Sequence, residues 1–183
     1  QSSVAPARAD VNDLRDAYTG GNVQRVIDYA LLTGKDMGLD EETQDTLQLS
    51  SALHDSDKIA VPDRVLNKQG PLDSEEFALM KQHPQTGTKM LLETRILQQI
   101  IPGMRSHHER WDGRGYPDGL KGEASPLQAR IIAVGDTFHA MTTNRLYLKG
   151  LSLRVAISEL KKNSCTQVCP ASVAPLSKLP QRV

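Results

Sequence analysis

Apolar residues recur at helical spacing along nearly the whole chain. Val23, Val26, Ile27, Ala30 and Leu31 mark one face of a first helix, which a glycine stop at Met37-Gly38 closes. A second helix starts after Asp40, carries Leu47, Ala52 and Leu53 on one face, and brings His54-Asp55 near its end. Val61-Pro62-Asp63 and Gly70-Pro71 are turn signals. Asp73 or Ser74, followed by glutamates, caps a helix through Phe77, Met80 and Lys81. Pro84 suits a first helical turn, so His83 marks the entry to a helix running towards Leu97 with Met90 and Leu91 inside. His107-His108 close or follow another short helix. Residues Asp112 to Gly122 hold four glycines and a proline and form an ordered loop. A long helix is expected over about Pro126 to Asn144 and a last one over about Ser152 to Lys162. The first ten or so residues and the stretch from Ser164 lack any such pattern and read as weakly structured. No internal repeat is visible. The fold class is all-α, and 4% aromatic residues fit a core built on Leu, Ile, Val and Ala.

At 183 residues the chain suits one domain, long enough to bury roughly two thirds of its unfolded surface. Lysine plus arginine equals aspartate plus glutamate at 22 each, so no global field draws the protein to a nucleic-acid polymer. No run of eighteen apolar residues occurs, and the start lacks the parts of a signal peptide, so a cytoplasmic protein without membrane insertion is expected. Cys165 and Cys169 form no disulfide framework and read as free thiols.

The chemistry lies in polar residues set among these helices: His54-Asp55, the lone His83, His107-His108, and Asp136 after the apolar run Ala129 to Gly135. A carboxylate can bind one cation through each oxygen, so Asp55 can bridge two metals while neutral imidazoles complete their shells. With no cysteine in the group, iron, manganese, nickel and zinc all remain open. Two such cations lower the pKa of a water and offset charge on a phosphoryl group during in-line displacement. Phosphate-ester hydrolysis is the natural chemistry. Taken singly these residues mean little: a lone histidine such as His139 is more often packed or solvated, and His-Asp pairs are common. Their joint occurrence carries the expectation.

The loop after the histidine pair reads His107-His108-Glu109-Arg110-Trp111-Asp112-Gly113-Arg114-Gly115-Tyr116-Pro117-Asp118-Gly119-Leu120. With His54-Asp55 and Lys58, Ile59-Ala60-Val61-Pro62-Asp63, Asn67 to Leu72, Lys81-Gln82-His83-Pro84 and Ala129 to Asp136, it closely resembles the HD-GYP family, bacterial phosphodiesterases that hydrolyse cyclic di-GMP. The resemblance runs from about Tyr18 to about Pro170. It implies an HD-domain helical bundle with a GYP loop, with a linker at 1–15, the domain at 16–163 and a tail at 164–183. By resemblance His54, Asp55 and Asp136 hold a first metal, and His83, His107 and His108 hold a second, with Asp55 bridging; iron or manganese is favoured over nickel or zinc. Lys58 and Asp55 take catalytic roles, and Lys58, Arg145 and Tyr116 contact substrate. The implied product is pGpG, with GMP beyond it. The implied partners are cyclic di-GMP and GGDEF or other signalling proteins.

The departures from the family pattern matter as much. Asn22 stands where a metal histidine is usual and offers only a neutral amide, and Tyr18 stands where members with a third metal carry glutamate. Asp57 replaces a glycine beside Lys58, and pairing between the two would weaken the cation meant for phosphate. His139 replaces an aspartate, a change expected to alter hydrogen bonding around the ligands or to lend a ligand itself. Leu146 and Leu148 replace a proline and a basic residue. Cys165, Val168 and Cys169 replace glycine, phenylalanine and aspartate, changes expected to loosen C-terminal packing. An active phosphodiesterase is the leading expectation. A catalytically impaired cyclic-dinucleotide-binding or protein-interaction domain is the alternative, and a related hydrolase of another cyclic dinucleotide or phosphoester is the third.

Overall fold

A computed structural model describes residues 22–92, 94–143 and 149–178. Helix α1 spans Asn22–Asp36 and α2 spans Glu41–Leu53, with Asp40 capping α2 by accepting from the Thr43 amide. A 3-10 turn, Ser56–Ala60, leads to the short α3, Asp63–Leu66. Helix α4, Ser74–Met80, opens on a capping box: Asp73 accepts from the Glu76 amide, and the Glu76 carboxylate accepts from the Asp73 amide. That reciprocal arrangement satisfies two donors a helix start otherwise leaves open. Helix α5 spans His83–Leu91 with Pro84 in its first turn.

Helix α5 does not continue towards Leu97. It stops at Leu91, the last buried position of its apolar face. Leu92 is exposed, Thr94 is extended, and a 3-10 segment, Arg95–Ile100, follows. The side chains of Asn22 and Met90 lie outside the described residues. Helix α6, Ile101–Ser106, ends at His107. After the glycine-rich loop, α7 spans Leu127–Thr142, and Ser152 caps α8, Leu153–Lys162.

The chain then adds an element the hydrophobic pattern did not suggest. Helix α9, Pro170–Leu176, docks Val173 and Leu176 beside Val168, against Val134 and Phe138 of α7 and Ala156, Ile157 and Leu160 of α8. Residues 164–178 thus contribute to the core, where a loose tail was expected. Val168 and Cys169 are each only 3% exposed, so their departure from the family pattern is absorbed as apolar packing. Both cysteines are free thiols.

Helix α7 runs through the middle. One side packs Ile131 and Ile132 on Ala30 of α1 and Leu47 of α2; another carries Val134 and Phe138 into the C-terminal cluster. A third cluster, Leu53, Leu91, Ile100 and Met104, joins the ends of α2, α5 and α6. It lies directly beneath the residues that carry the chemistry, since Leu53 precedes His54 and Met104 lies one turn before His107. Among the described residues no strand is formed and no helix is long and apolar enough to cross a membrane.

Candidate metal centre

Three histidines are pinned in one way, each at a helix end. His54 ends α2, His83 begins α5 directly after α4, and His107 ends α6. In each, Nδ1 lies 2.6 Å from the carbonyl three residues back, those of Ser51, Met80 and Met104. A carbonyl can only accept, so Nδ1 carries the hydrogen and the neutral ring keeps its lone pair on Nε2. Helix ends supply such carbonyls because their last acceptors have no intrahelical donor. The fold thereby fixes both tautomer and ring orientation.

The Nε2 atoms of His83, His107 and His108 are buried and meet no hydrogen-bond partner. Together with an Asp55 carboxylate oxygen they lie within 4.8 Å of one another. Asp55 Oδ1 is 3.7 Å from His83 Nε2 and 3.5 Å from His107 Nε2, whereas Oδ2 is 3.4 Å from His54 Nε2 and 2.6 Å from Lys58 Nζ. One carboxylate therefore faces two sets of groups through its two oxygens. Asp136, on α7, is outside the four-donor set, but its charge acts on Lys58, His107 and Tyr116.

Burial opposes a charge on Asp55, yet Lys58, His54 and His107 outweigh it and hold the carboxyl well below its usual range. Burial likewise works against the Lys58 ammonium, and Asp55 and Asp136 more than restore it. His107 follows the same logic: burial lowers it and contact with Asp55 raises it. His83 is pushed down to about 4 by burial, and His108 well below its usual value by burial and by His107. Both are neutral at neutral pH, the form that binds a cation without first releasing a proton.

The loop beside the histidines is built close against them. Tyr116 stacks on His108 with centroids 4.7 Å apart, and its amide donates to the His108 carbonyl at 3.3 Å. Burial, reinforced by Asp55 and Asp136, pushes the Tyr116 hydroxyl up, so it stays protonated. A Cβ on Gly115 would fall 2.4 Å from the Arg110 amide nitrogen, so only glycine lets the loop pass there. Trp111 and Asp112 amides donate to the Gln167 and Thr166 carbonyls at 3.1 and 2.8 Å, which ties the loop to the C-terminal segment.

Glu109 was not singled out by sequence reasoning, although it adjoins the histidine pair. Its buried carboxylate accepts from the amides of Asp118, Gly119 and Leu120 at 2.7, 3.0 and 3.0 Å, closing the loop on itself. Arg105 adds a two-pronged pair to Asp118 at 2.8 and 2.7 Å. Glu109→Gln should cost about 1–2 kcal/mol, since a charged acceptor becomes a neutral one. Hydrogen exchange at amides 118–120 should accelerate about tenfold; unchanged exchange would show that the loop is held elsewhere.

Asp57 does not pair with Lys58. Successive residues of the 3-10 turn point apart, so Lys58 turns to Asp55 while Asp57 is buried against α5. There neither of its oxygens finds a hydrogen-bond partner, and burial raises the carboxyl to about 7. A Cβ on Gly87 would come 2.4 Å from Asp57 Oδ2, so α5 accepts this side chain only because residue 87 is glycine. His139 is buried on α7 with Nε2 2.7 Å from Thr143 Oγ1, and it is not one of the four clustered donors, so it lends no ligand to that set. Tyr18, Arg145, Leu146 and Leu148 lie outside the described residues.

The sequence pattern of the HD domain matches residues 9–170. The chain belongs to the HD-domain family, on its HD-GYP branch. This HD domain is 41% identical to the cyclic di-GMP phosphodiesterase response regulator RpfG of Xanthomonas campestris pv. campestris, over 81% of the chain and 40% of that protein. It is 38% identical to the 3'3'-cGAMP-specific phosphodiesterase 2 of Vibrio cholerae, over 76% of the chain and 27% of that protein. The chain thus spans less than half the length of either relative. Among solved structures, Bd1817, an HDG"Y"P protein from Bdellovibrio bacteriovorus, superposes with a TM-score of 0.71 at 18% identity, over 88% of the chain and 52% of that structure, a likeness of fold.

Proposed function

We propose that this HD domain is a metal-dependent phosphodiesterase that opens a cyclic dinucleotide, with cyclic di-GMP as its substrate, to linear pGpG and onward to GMP. The observation that carries the reading is the set of three buried, partnerless Nε2 atoms gathered with the Asp55 carboxylate. Orphaned nitrogens in a buried site cost stability unless something satisfies them, and a divalent cation does so. The donors present fit such an ion. His83, His107 and His108 would hold one metal, His54 and Asp136 a second, with Asp55 shared between the two sets. Nitrogen and carboxylate donors without thiolate suit iron or manganese, with nickel and zinc as rivals. Bound cations would supply Lewis acidity and an acidified water.

The remaining roles fall to the chain itself. Lys58, whose ammonium lies 2.6 Å from Asp55 Oδ2, would offer that charge to a phosphate oxygen that gains charge as the ester breaks. Tyr116 keeps its proton and lies beside His108, placed to donate a hydrogen bond to bound substrate. Arg145 is assigned to a substrate phosphate by its position in the family pattern.

The test is metal content measured together with turnover, on protein purified anaerobically and reconstituted with iron or manganese. Two metals per chain and linear product are expected from cyclic di-GMP, at a higher kcat/KM than from 3',3'-cyclic GMP-AMP. Preference for the mixed dinucleotide would reassign the substrate. Asn22, an amide at a ligand position, favours a second reading, a receptor that binds the dinucleotide without cleaving it. One metal or none, with measurable binding and no product, would establish that instead.

A further inference from the structure

The aromatic contact at the metal centre does not end with Tyr116. Phe77, on α4, meets the Tyr116 ring edge-on at 6.3 Å between centroids and an interplanar angle of 84°. Three rings therefore run outward in sequence from the candidate ligand His108, through Tyr116, to Phe77. Phe77 is 46% exposed, and α4 buries none of its residues. Its ring is not there to fill the core. Positive charge accompanies the ring pair: Lys81 Nζ sits over one face of the Phe77 ring, 4.9 Å from its centroid, and the charge of Lys58 acts on Tyr116.

We infer that Phe77, with Tyr116, forms a stacking corner that takes one purine base of the cyclic dinucleotide, with Lys81 beside it. The inference rests on the proposed substrate class. A nucleobase hangs one sugar away from the phosphate it accompanies, so a phosphate at the His108 end carries its base outward along these rings. Every base offers a π-face, and an exposed aromatic ring is the usual platform for one. The substrate is a dianion, which matches two ammonium groups around the rings. Lys81 is a donor without acceptors, so it suits the O6 and N7 edge of guanine better than the amino edge of adenine.

Phe77→Ala should raise KM for cyclic di-GMP about tenfold with kcat nearly unchanged, a loss the size of one base–aromatic stack. Phe77→Trp should restore the original KM. Calorimetric titration of cyclic di-GMP should show the same pattern in Kd, and circular dichroism should be unaltered, since Phe77 lies on an exposed helix. A wild-type protein that cleaves the dinucleotide, with Phe77→Ala matching it in KM and Kd, would overturn the stacking role alone. A loss in kcat that Phe77→Trp does not rescue would mean that Phe77 merely props Tyr116. A wild-type protein that neither binds nor cleaves cyclic dinucleotides would instead remove the substrate reading, and the inference with it.

Discussion

Asp55→Asn should all but abolish metal binding, with affinity falling at least about 100-fold and the proposed phosphodiesterase turnover dropping below detection. Loss of a group one shell away from a metal typically costs 10- to 100-fold, and Asp55 stands inside the donor set. Its two oxygens face different groups, Oδ1 towards His83 and His107 and Oδ2 towards His54 and Lys58. An amide keeps one oxygen, loses the charge, and turns an N–H toward whichever side the oxygen leaves. Metal content by mass spectrometry and calorimetry of manganese binding check this. Full occupancy in the variant would show that the histidines alone define the site. The pinned Nδ1 hydrogens mean that the histidine rings should keep their orientation in the variant, so the loss reports on the carboxylate itself.

The second large effect concerns Asp57 and is measured on metal-free protein. Its carboxyl is raised by burial from 3.8 to about 7, so the folded chain holds a proton that the unfolded chain releases. Below the unfolded value both states are protonated and burial of the acid carries no electrostatic penalty. Stability should then decline as pH rises between about 4 and about 7, and level off above. The full loss is at most about 4 kcal/mol. Asp57→Asn cannot ionise and should lack this decline. His83, pushed down to about 4, contributes the opposite slope as pH falls, but it does so in both proteins. The difference between their urea-denaturation free energies therefore isolates Asp57. Parallel profiles would mean that water or a rotated side chain relieves the carboxyl.

Much of this was legible in the sequence because the punctuation of the helices is chemical. Asp40, Asp73 with Glu76, Ser152 and Pro84 mark starts that depend on local hydrogen bonds and a fixed φ, and the structure places helices there. Helix α9 escaped notice because its apolar residues, Val173 and Leu176, are few and framed by Pro170 and Pro175. Its place is set by tertiary packing on α1, α7 and α8, which no local pattern records. The stop after Leu91 escaped for a related reason: apolar spacing continues through Leu97, and no glycine or proline marks the break. Among site residues, the histidines and Asp55 were readable as a set of donors. Glu109 was not, since its partners are backbone amides nine to eleven residues away that carry no side-chain signature. The burial of Asp57 depends on Gly87, thirty residues on, and becomes visible only when α5 is laid across the turn.

The backbone bonds from Trp111 and Asp112 to Gln167 and Thr166 join the loop beside the histidines to the segment that leads into α9. Peeling that segment away would cost the loop two of its acceptors, so opening at one place favours opening at the other. Thermodynamic reciprocity then applies in both directions. A substrate that stiffens the loop raises the free energy needed to detach the last helix. A restraint or pull applied near residue 178 is, by the same linkage, an effector of the loop.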